Sequence, residues 1–175
     1  MDRIVIVGSG GSGKSTLAEQ LGRILNLDVV HLDRLLWKPG WVRVSPPEQE
    51  AIVREMVSRA NWIIDGDHLR TQAIRFAAAD TILFLDFPRW ICVLRTVKRF
   101  LQNMGRSRVG MAAGCPERLN LTLLKWVWRY PQDNRAQVLA NITRCGGGCR
   151  VVTLRGLKEV RQFLAALAAR GTHTF

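Results

Sequence analysis

The stretch G-S-G-G-S-G-K-S, from Gly8 to Ser15, decides the fold of this chain. It follows the apolar run Ile4–Val7 and precedes a helical pattern that begins at Thr16. In a glycine-rich turn between a strand and a helix, successive backbone N–H groups converge on phosphate oxygens, and the helix adds its positive dipole end. The spacing G-x-x-x-x-G-K-S in this context predicts a phosphate-binding loop.

The residue types in this loop predict a nucleoside triphosphate and Mg²⁺ as ligands. Lys14 would reach the β and γ phosphates, which also makes it a predicted catalytic residue, and the Ser15 hydroxyl would ligate Mg²⁺. Glycines are required because a Cβ would block positive φ angles or the close approach of backbone to ligand. The predicted cofactor-binding residues of the loop are Gly8, Ser9, Gly10, Gly11, Ser12, Gly13, Lys14, Ser15 and Thr16.

Length and composition predict a single domain over residues 1–175 without a metal or disulfide staple. The four cysteines have no paired C-x-x-C spacing, and the start of the chain runs straight into a strand without a signal-peptide apolar region, so we expect a cytoplasmic protein. No apolar stretch approaches the roughly 20 residues that cross a bilayer, and no membrane partner is expected.

The net charge of +12 favours an anionic ligand, either a nucleotide, a nucleic acid or an anionic lipid. Between Arg89 and Arg135 the chain carries ten Lys and Arg against two Asp and Glu. Two thirds of the excess charge therefore lies in about a quarter of the sequence. The composition leaves the oligomeric state open.

Short apolar runs alternate with helical patterns, which is typical of βαβ units and a parallel sheet. We predict an α/β, three-layer P-loop NTPase fold with a five-stranded parallel sheet. The predicted strands are residues 3–7, 28–31, 62–65, 81–86 and 150–154.

Apolar periodicity and capping predict helices that begin near Thr16, Pro46, Pro88 and Leu157, the second of them ending near Ala60. The apolar stripe of the third helix consists of Ile91, Leu94, Val97 and Leu101. Three tryptophans fall within these element patterns and are predicted core residues: Trp62, Trp90 and Trp126.

Two long loops interrupt the alternation, and loops of such length inside a compact domain are usually functional or disordered. Residues 37–45 are rich in Trp, Pro and Gly and belong to a predicted acceptor-binding segment at about residues 32–60. Residues 105–118 carry three glycines and three arginines and are the predicted lid.

Three aspartates lie at or just beyond the ends of predicted strands, at the sheet edge where the phosphate loop lies. Asp65 is the preferred Mg²⁺ carboxylate, acting through water, and Asp86 is its rival; either could instead cap the following helix. Asp33 could orient an attacking hydroxyl or accept its proton, or else cap the helix after it. His31 has no partner that the sequence identifies.

Arginines supply the predicted charge neutralisation, because a planar guanidinium binds two phosphate oxygens at once. Arg95 and Arg99 lie four apart on one helix face. Arg106 and Arg108 follow in the glycine-hinged loop. We predict that Arg95 and Arg99 bind the cofactor and that Arg99, Arg106 and Arg108 are catalytic.

The predicted acceptor-binding residues come from four separate segments. Asp33 would hold the acceptor hydroxyl, and Arg70, four residues after Gly66, is a candidate for phosphate binding, as is Arg135. Arg135 follows the lid. The indole of Trp41 could stack on a base, although packing within its loop accounts for it equally well.

In the order of its motifs the chain resembles the adenylate kinase-like branch of P-loop kinases and, more narrowly, the DNA topology modulation proteins. The motifs that carry this resemblance, besides the phosphate loop, are His31-Leu32-Asp33, Pro39-Gly40-Trp41, Trp62-Ile63-Ile64-Asp65-Gly66, Leu85-Asp86-Phe87-Pro88-Arg89 and Met111-Ala112-Ala113-Gly114-Cys115-Pro116-Glu117. The match extends from Ile4 to Leu167.

The resemblance implies ATP contacts for Arg95 and Arg99, which stand nine and thirteen residues after Asp86 as in adenylate kinase-like enzymes. It also implies a substrate role for Arg70 and a lid at residues 105–118. The chain departs from nucleoside monophosphate kinases at residues 66–70, where G-D-H-L-R replaces G-F-P-R, and its lid lacks a zinc-binding set.

We therefore expect an ATP-dependent kinase that transfers the γ-phosphoryl group to a small acceptor, with a nucleotide as first candidate. Two other functions are open: a nucleotide-switched regulator associated with DNA, and an ATPase without a small acceptor. Duplex DNA is accordingly a second candidate partner.

Overall fold

The computed structural model of the chain describes residues 1–106, 110–118, 120–145 and 147–171. These residues form a five-stranded parallel sheet and a separate two-stranded hairpin. The strands are β1 (Arg3–Gly8), β2 (Val29–His31), β3 (Trp37–Lys38), β4 (Val42–Arg43), β5 (Trp62–Asp65), β6 (Thr81–Leu85) and β7 (Arg150–Leu154).

Helices connect the strands and cover both faces of the sheet. They are α1 (Lys14–Leu25), α2 (Leu32–Leu35), α3 (Pro46–Val57), α4 (Leu69–Ala78), α5 (Arg89–Asn103), α6 (Leu121–Asp133), α7 (Arg135–Cys145) and α8 (Leu157–Gly171). None of the helices among the described residues is long and apolar enough to cross a membrane.

The sheet order is β2-β5-β1-β6-β7, with every neighbouring pair parallel. After β1 the chain builds β2 and β5 on one side, and then crosses to build β6 and β7 on the other. The strand order thus reverses at β1, and the loop after β1 emerges at that reversal. In open α/β sheets this crevice, at the carboxyl ends of the strands, is where ligands bind.

The apolar run of β1 is buried on both faces of the sheet. Val5 and Val7 pack into one hydrophobic cluster, and Ile4 and Ile6 pack into the other. All four side chains are fully buried, as expected for a central parallel strand covered by helices on both sides. This rigid strand fixes the position of the phosphate loop.

The structure confirms the fold class and the five parallel strands, each within one residue of its predicted ends. No bounds were predicted for the β3–β4 hairpin or for the helices α2, α4, α6 and α7. Pro46 begins α3 as expected, although the Ser45 side chain makes no capping hydrogen bond.

The prediction for the buried face of α5 was wrong in part. Leu94, Leu101 and Trp90 are exposed, whereas Cys92 and Thr96 are buried. The physical reason is close packing against the phosphate loop, where a Cβ on Gly11 would lie 2.2 Å from the Cys92 carbonyl oxygen. Only small side chains fit at this contact, so the large apolar residues of α5 turn outward.

Candidate active site

The loop between β1 and α1 has the conformation that its glycines allow. Gly8, Gly11 and Gly13 have φ angles of 141°, 75° and 98°. A Cβ on Gly8 would lie 2.5 Å from the carbonyl oxygen of Leu85. The Nζ of Lys14 donates to the carbonyl oxygens of Gly8 and Ser9 at 2.8 Å each, so the lysine lies folded over the loop at the start of α1.

Four side chains form a hydrogen-bonded chain beside the phosphate loop. The Ser15 hydroxyl donates to Oδ2 of Asp65 at 2.6 Å, and Nδ1 of His31 bonds to Oδ1 of Asp65 at 2.7 Å. The other ring nitrogen of His31 lies 2.9 Å from Oε1 of Glu19. The partners of His31, which the sequence did not reveal, are therefore two carboxylates contributed by β5 and α1.

This network sets the charge of His31. The hydrogen bond to Asp65 raises the pKa of His31 to about 9 against the opposing effect of burial, and Glu19 adds to the rise. The imidazole is consequently cationic at neutral pH. It holds Asp65 in one orientation by balancing the carboxylate charge.

The donor set at Ser15 and Asp65 fits Mg²⁺. This ion prefers oxygen ligands, and in phosphate-transfer sites it binds one or two carboxylates together with the phosphates of the substrate. Within the described ranges no group of three or more His, Cys, Asp or Glu residues could hold a metal by itself. A magnesium ion at this place would therefore need further oxygen ligands from the phosphates of a bound nucleotide.

A cavity of about 970 Å³ extends from the phosphate loop to the β3–β4 hairpin. It brings together most of the residues that the sequence singled out. Those lining it are Gly10, Gly11, Gly13, Lys14, Ser15, Thr16, Asp33, Trp41, Asp65, Gly66, Arg70, Arg95 and Arg99.

Arg95 and Arg99 both project from α5 toward this cavity. The guanidinium of Arg95 lies 5.0 Å from the ring centroid of Phe87 and donates to the Ser12 carbonyl oxygen at 3.3 Å. Nε of Arg99 lies 2.8 Å from Oε1 of Glu117, a carboxylate of the predicted lid that is 6% exposed. One arginine thus contacts the loop and the other contacts the lid.

Two further predicted arginines lie outside this cavity. Among the described residues, Arg106 and Arg135 are not part of the cavity lining. Arg135 donates two hydrogen bonds to Asp86, at 2.9 and 2.8 Å. This pairing also engages Asp86, the rival magnesium carboxylate, and ties the start of α7 to the end of β6. Arg108 lies outside the described residues.

A histidine that the sequence did not identify joins three segments of the cavity. Nε2 of His68 lies 3.1 Å from Oδ1 of Asp33, and its Nδ1 lies 3.5 Å from a guanidinium nitrogen of Arg43. His68 has a φ of 25° at the start of α4. Its backbone is uncommon for a residue with a side chain, and such conformations cluster at functional sites.

Buried polar groups hold the loop between β5 and α4 in place. The guanidinium of Arg75 is completely buried and donates to the carbonyl oxygens of Gly66, Asp67 and His68. The Tyr130 hydroxyl donates to Asp67 at 2.9 Å. Burial raises the pKa of Asp67, although the nearby charge of Lys14 and the bond from Tyr130 oppose the rise.

The predicted lid packs on the hairpin of the acceptor segment. Met111, Ala112 and Cys115 form a small apolar cluster with Trp37 and Trp41. Backbone and side-chain hydrogen bonds seal the contact, from the Gly40 N–H to the Gly114 carbonyl, from the Trp41 indole to the Pro116 carbonyl and from the Cys115 thiol to the Lys38 carbonyl. Trp41 thus packs on its neighbours while still lining the cavity.

A second, smaller cavity of about 360 Å³ lies on the other side of the phosphate loop. Ser12, Gly13 and Thr16 line it next to the loop, and Arg95 is shared with the larger cavity. Its apolar wall consists of Leu17, Leu85, Phe87, Leu157, Val160 and Leu164. Sequence reasoning missed this wall, because it assigned Leu157 only to the start of the last helix.

Several solved structures share the fold of this chain. Shikimate kinase from Acinetobacter baumannii, in complex with shikimate, matches with a TM-score of 0.62 at 12% identity, covering 100% of this chain and 96% of that one. The chain has the fold of these kinases. A gluconokinase from Sinorhizobium meliloti 1021 matches with a TM-score of 0.56 at 19% identity, over 98% and 94% of the two chains.

Shikimate kinase from Bacteroides thetaiotaomicron is a third such structure, with a TM-score of 0.53, 15% identity and 97% of each chain covered. No protein-family model matches the sequence, and no curated protein matches it. These sequence identities are too low for the acceptor of this protein to be inferred from the acceptors of those kinases.

Proposed function

We propose that this protein is an ATP-dependent kinase that transfers the γ-phosphoryl group to a small acceptor, with a nucleotide as first candidate. One observation carries the proposal. A single cavity joins the phosphate loop, the Ser15–Asp65 pair and Asp33, so donor, metal and acceptor groups face one space. The fold shared with shikimate kinase and gluconokinase supports the same activity.

Phosphoryl transfer depends on positioning and charge neutralisation more than on covalent chemistry. Lys14 and the loop N–H groups would hold the β and γ phosphates, and Ser15 together with Asp65 would hold Mg²⁺. Magnesium, when bound, neutralises charge that develops on the phosphate oxygens. Arg95 and Arg99 would neutralise the remaining charge of the transferring group.

At the acceptor end, Asp33 would orient the attacking hydroxyl, and His68 would hold the Asp33 carboxylate at its 3.1 Å contact. Trp41, Gly66 and Arg70 line the same cavity as Asp33. The acceptor would thus lie between the hairpin and the loop that starts α4. Contacts of Arg135 with the acceptor, and of Arg106 and Arg108 with the phosphates in a more closed state, stay predictions.

The smaller cavity fits the base of the nucleotide. Its wall is apolar, it adjoins Gly13 and Thr16 of the phosphate loop, and the exposed α8 residue Arg161 stands at its rim. A purine stacked beside Phe87 would place its triphosphate along the loop toward Ser15. Binding sites for small molecules commonly combine such apolar walls with few polar groups.

We also propose membership of the DNA topology modulation proteins, supported by the order and spacing of the shared motifs. We place the protein in a reducing, cytoplasmic setting, which the free, buried thiols of Cys92 and Cys115 support. The basic stretch from Arg89 to Arg135 is what favours the alternative of a DNA-associated regulator.

The test is acceptor-dependent release of ADP from MgATP by the purified protein. Nucleoside monophosphates, nucleosides, shikimate, gluconate and related hydroxy acids form the acceptor panel. A kinase releases ADP faster with one acceptor class. Lys14→Met should lower that rate by at least a hundredfold, because the lysine no longer neutralises the negative charge on the phosphoryl group being transferred. Lys158→Met, an exposed lysine on α8, is the matched control and should retain the rate.

Two results would support the alternatives instead. ADP release at one rate whatever acceptor is added indicates an ATPase. Tight binding of duplex DNA that weakens steeply with salt, combined with no acceptor response, indicates the DNA-associated regulator.

A further inference from the structure

Six large apolar side chains are exposed on one region of the molecule, each between 47% and 72%. We call this region the α5–α6 face. It consists of Trp90, Leu94, Leu101, Met104, Leu121 and Trp128. Single exposed apolar residues are ordinary, but a contiguous group of this kind marks an interaction surface.

The spacing of these residues places them in two adjacent stripes. On α5, Trp90, Leu94, Lys98 and Leu101 follow one another at intervals of four, four and three residues, which is one face of a helix. On α6, Leu121, Lys125 and Trp128 have the same kind of spacing, with both lysines exposed.

The two helices that carry these stripes pack against each other. The guanidinium of Arg89, at the start of α5, lies 4.3 Å from the ring centroid of Trp128, in the last half of α6. The helices therefore run antiparallel, and each stripe has a tryptophan near this shared end. Each stripe also has one lysine between its apolar residues.

The charge of this face has a single sign. The α5 segment contains no Asp or Glu, and the only acid of α6, Asp133, forms an ion pair with Arg129 at 2.8 Å. Lys98, Lys125 and Arg89 add positive charge among the apolar side chains. A partner must therefore be both apolar and anionic.

We propose that the α5–α6 face docks this protein on the surface of an anionic lipid bilayer. Leucines would enter the boundary between headgroups and acyl chains, and the tryptophans would lie at headgroup level. The stems of Lys98 and Lys125 would lie along the apolar surface while their ammonium groups reach lipid phosphates. Arg95 and Arg99 point from α5 to the cavity, so lipid contact leaves the nucleotide site open.

The chemistry of the face disfavours the other occupants. A second copy docked through the same face would bring lysines against lysines without an acid to offset them. Nucleic acid would use the basic residues but would leave three exposed leucines without a contact. The proposal replaces the expectation of no membrane partner, which rested only on the length of apolar stretches.

Flotation of the full chain with vesicles tests this proposal. The vesicles are phosphatidylcholine alone, or phosphatidylcholine mixed with phosphatidylglycerol. The wild type should float with the mixed vesicles only, and less as salt is added. Leu94→Gln/Leu101→Gln should lower the vesicle affinity by at least tenfold, whereas Ile24→Gln, at an exposed isoleucine of α1, should not. Lys98→Gln and Lys125→Gln should each lower it about fivefold.

All of the substituted side chains are exposed, so the variants should fold like the wild type. Unchanged circular dichroism spectra verify this. The proposal is overturned if the wild type does not float with mixed vesicles, or if the leucine variants float as well as the wild type. It is also overturned if Leu94→Gln/Leu101→Gln instead dissociates a dimer in sedimentation, or if duplex DNA prevents flotation and binds independently of the leucines.

Discussion

At the scale of single residues, the phosphate loop is shaped by atoms that leave no room for a side chain. A Cβ on Gly11 would meet the Cys92 carbonyl oxygen at 2.2 Å and the Thr96 hydroxyl at 2.6 Å. Gly40 has nearly the same φ, 79° against 75°, but nothing lies within 4 Å of its Cβ position. The two glycines separate the effect of backbone conformation from the effect of crowding.

Gly11→Ala should therefore destabilise the protein more than Gly40→Ala. Each substitution places alanine in the left-handed region, at a cost of about 1 kcal/mol, and Gly11→Ala adds overpacking of about 1–3 kcal/mol. Urea denaturation measures both changes in the free energy of unfolding. Equal losses for the two variants would show that α5 does not press against the loop.

The different partners of Asp65 and Asp86 allow their roles to be distinguished by mutation. Asp65 contacts Ser15, whereas Asp86 contacts Arg135. We expect Asp65→Asn to lower the magnesium-dependent gain in ATP affinity about 10- to 100-fold, because a carboxylate that orients a metal shell is lost. Calorimetric titration of ATP with and without Mg²⁺ provides the measurement. Asp86→Asn is the control and should retain the gain; the opposite pattern would exchange the two roles.

At the scale of elements, the predicted lid packs against the β3–β4 hairpin. Gly114 and Gly105 have φ angles of 74° and 73°, so alanine is equally strained at both. Only at Gly114 would a Cβ clash, at 2.9 Å from Cβ of Pro39 in the hairpin. The contact between lid and hairpin depends on this close approach.

Gly114→Ala should thus loosen the lid, whereas Gly105→Ala should leave it docked. Trypsin cleavage after Arg118 should become several-fold faster in Gly114→Ala, because the local opening of the segment becomes more favourable. Time courses of limited proteolysis report the difference. If both variants are cleaved at the same rate, the contact with Pro39 does not hold the segment.

The start of β1 is held by the carboxylate of Asp80, the residue just before the neighbouring strand β6. Oδ2 of Asp80 accepts hydrogen bonds from the backbone N–H groups of Asp2 and Arg3, at 2.7 and 2.8 Å. Partial burial acts to raise the pKa of Asp80, but these bonds outweigh it and hold the pKa below its usual range. The stabilisation is therefore present above the unfolded-state pKa and is lost as the pH falls through the lower folded-state value.

Asp80→Asn should accordingly lower the free energy of unfolding by about 1 kcal/mol at neutral pH. The difference from the wild type should shrink below about pH 4, where the carboxylate of the unfolded chain becomes protonated. Denaturation across this pH range measures it, with Asp28→Asn, at an exposed aspartate, as control. A difference that stays constant with pH would contradict the bonding of Asp80.

At the scale of the whole molecule, nucleotide binding should stabilise the fold. The phosphate loop between β1 and α1 has its binding conformation only in the folded protein, so the ligand binds the folded state and not the unfolded chain. MgATP at a hundred times its Kd should add about 2.7 kcal/mol to the free energy of unfolding, which raises Tm by about 5–10 °C. Differential scanning fluorimetry detects this shift. Lys14→Met should abolish it and Lys158→Met should keep it; a shift that survives in Lys14→Met would place the nucleotide elsewhere.

The sequence by itself determined the phosphate loop, the five parallel strands and Asp65 at a strand end, because each depends on local conformation and short-range periodicity. Only the tertiary structure decided which partners meet. His31 between two carboxylates, His68 between Asp33 and Arg43, and the outward turn of Trp90 and Leu94 all depend on contacts between residues far apart in the chain. Such contacts follow from how whole helices pack on the sheet, and no local pattern encodes them.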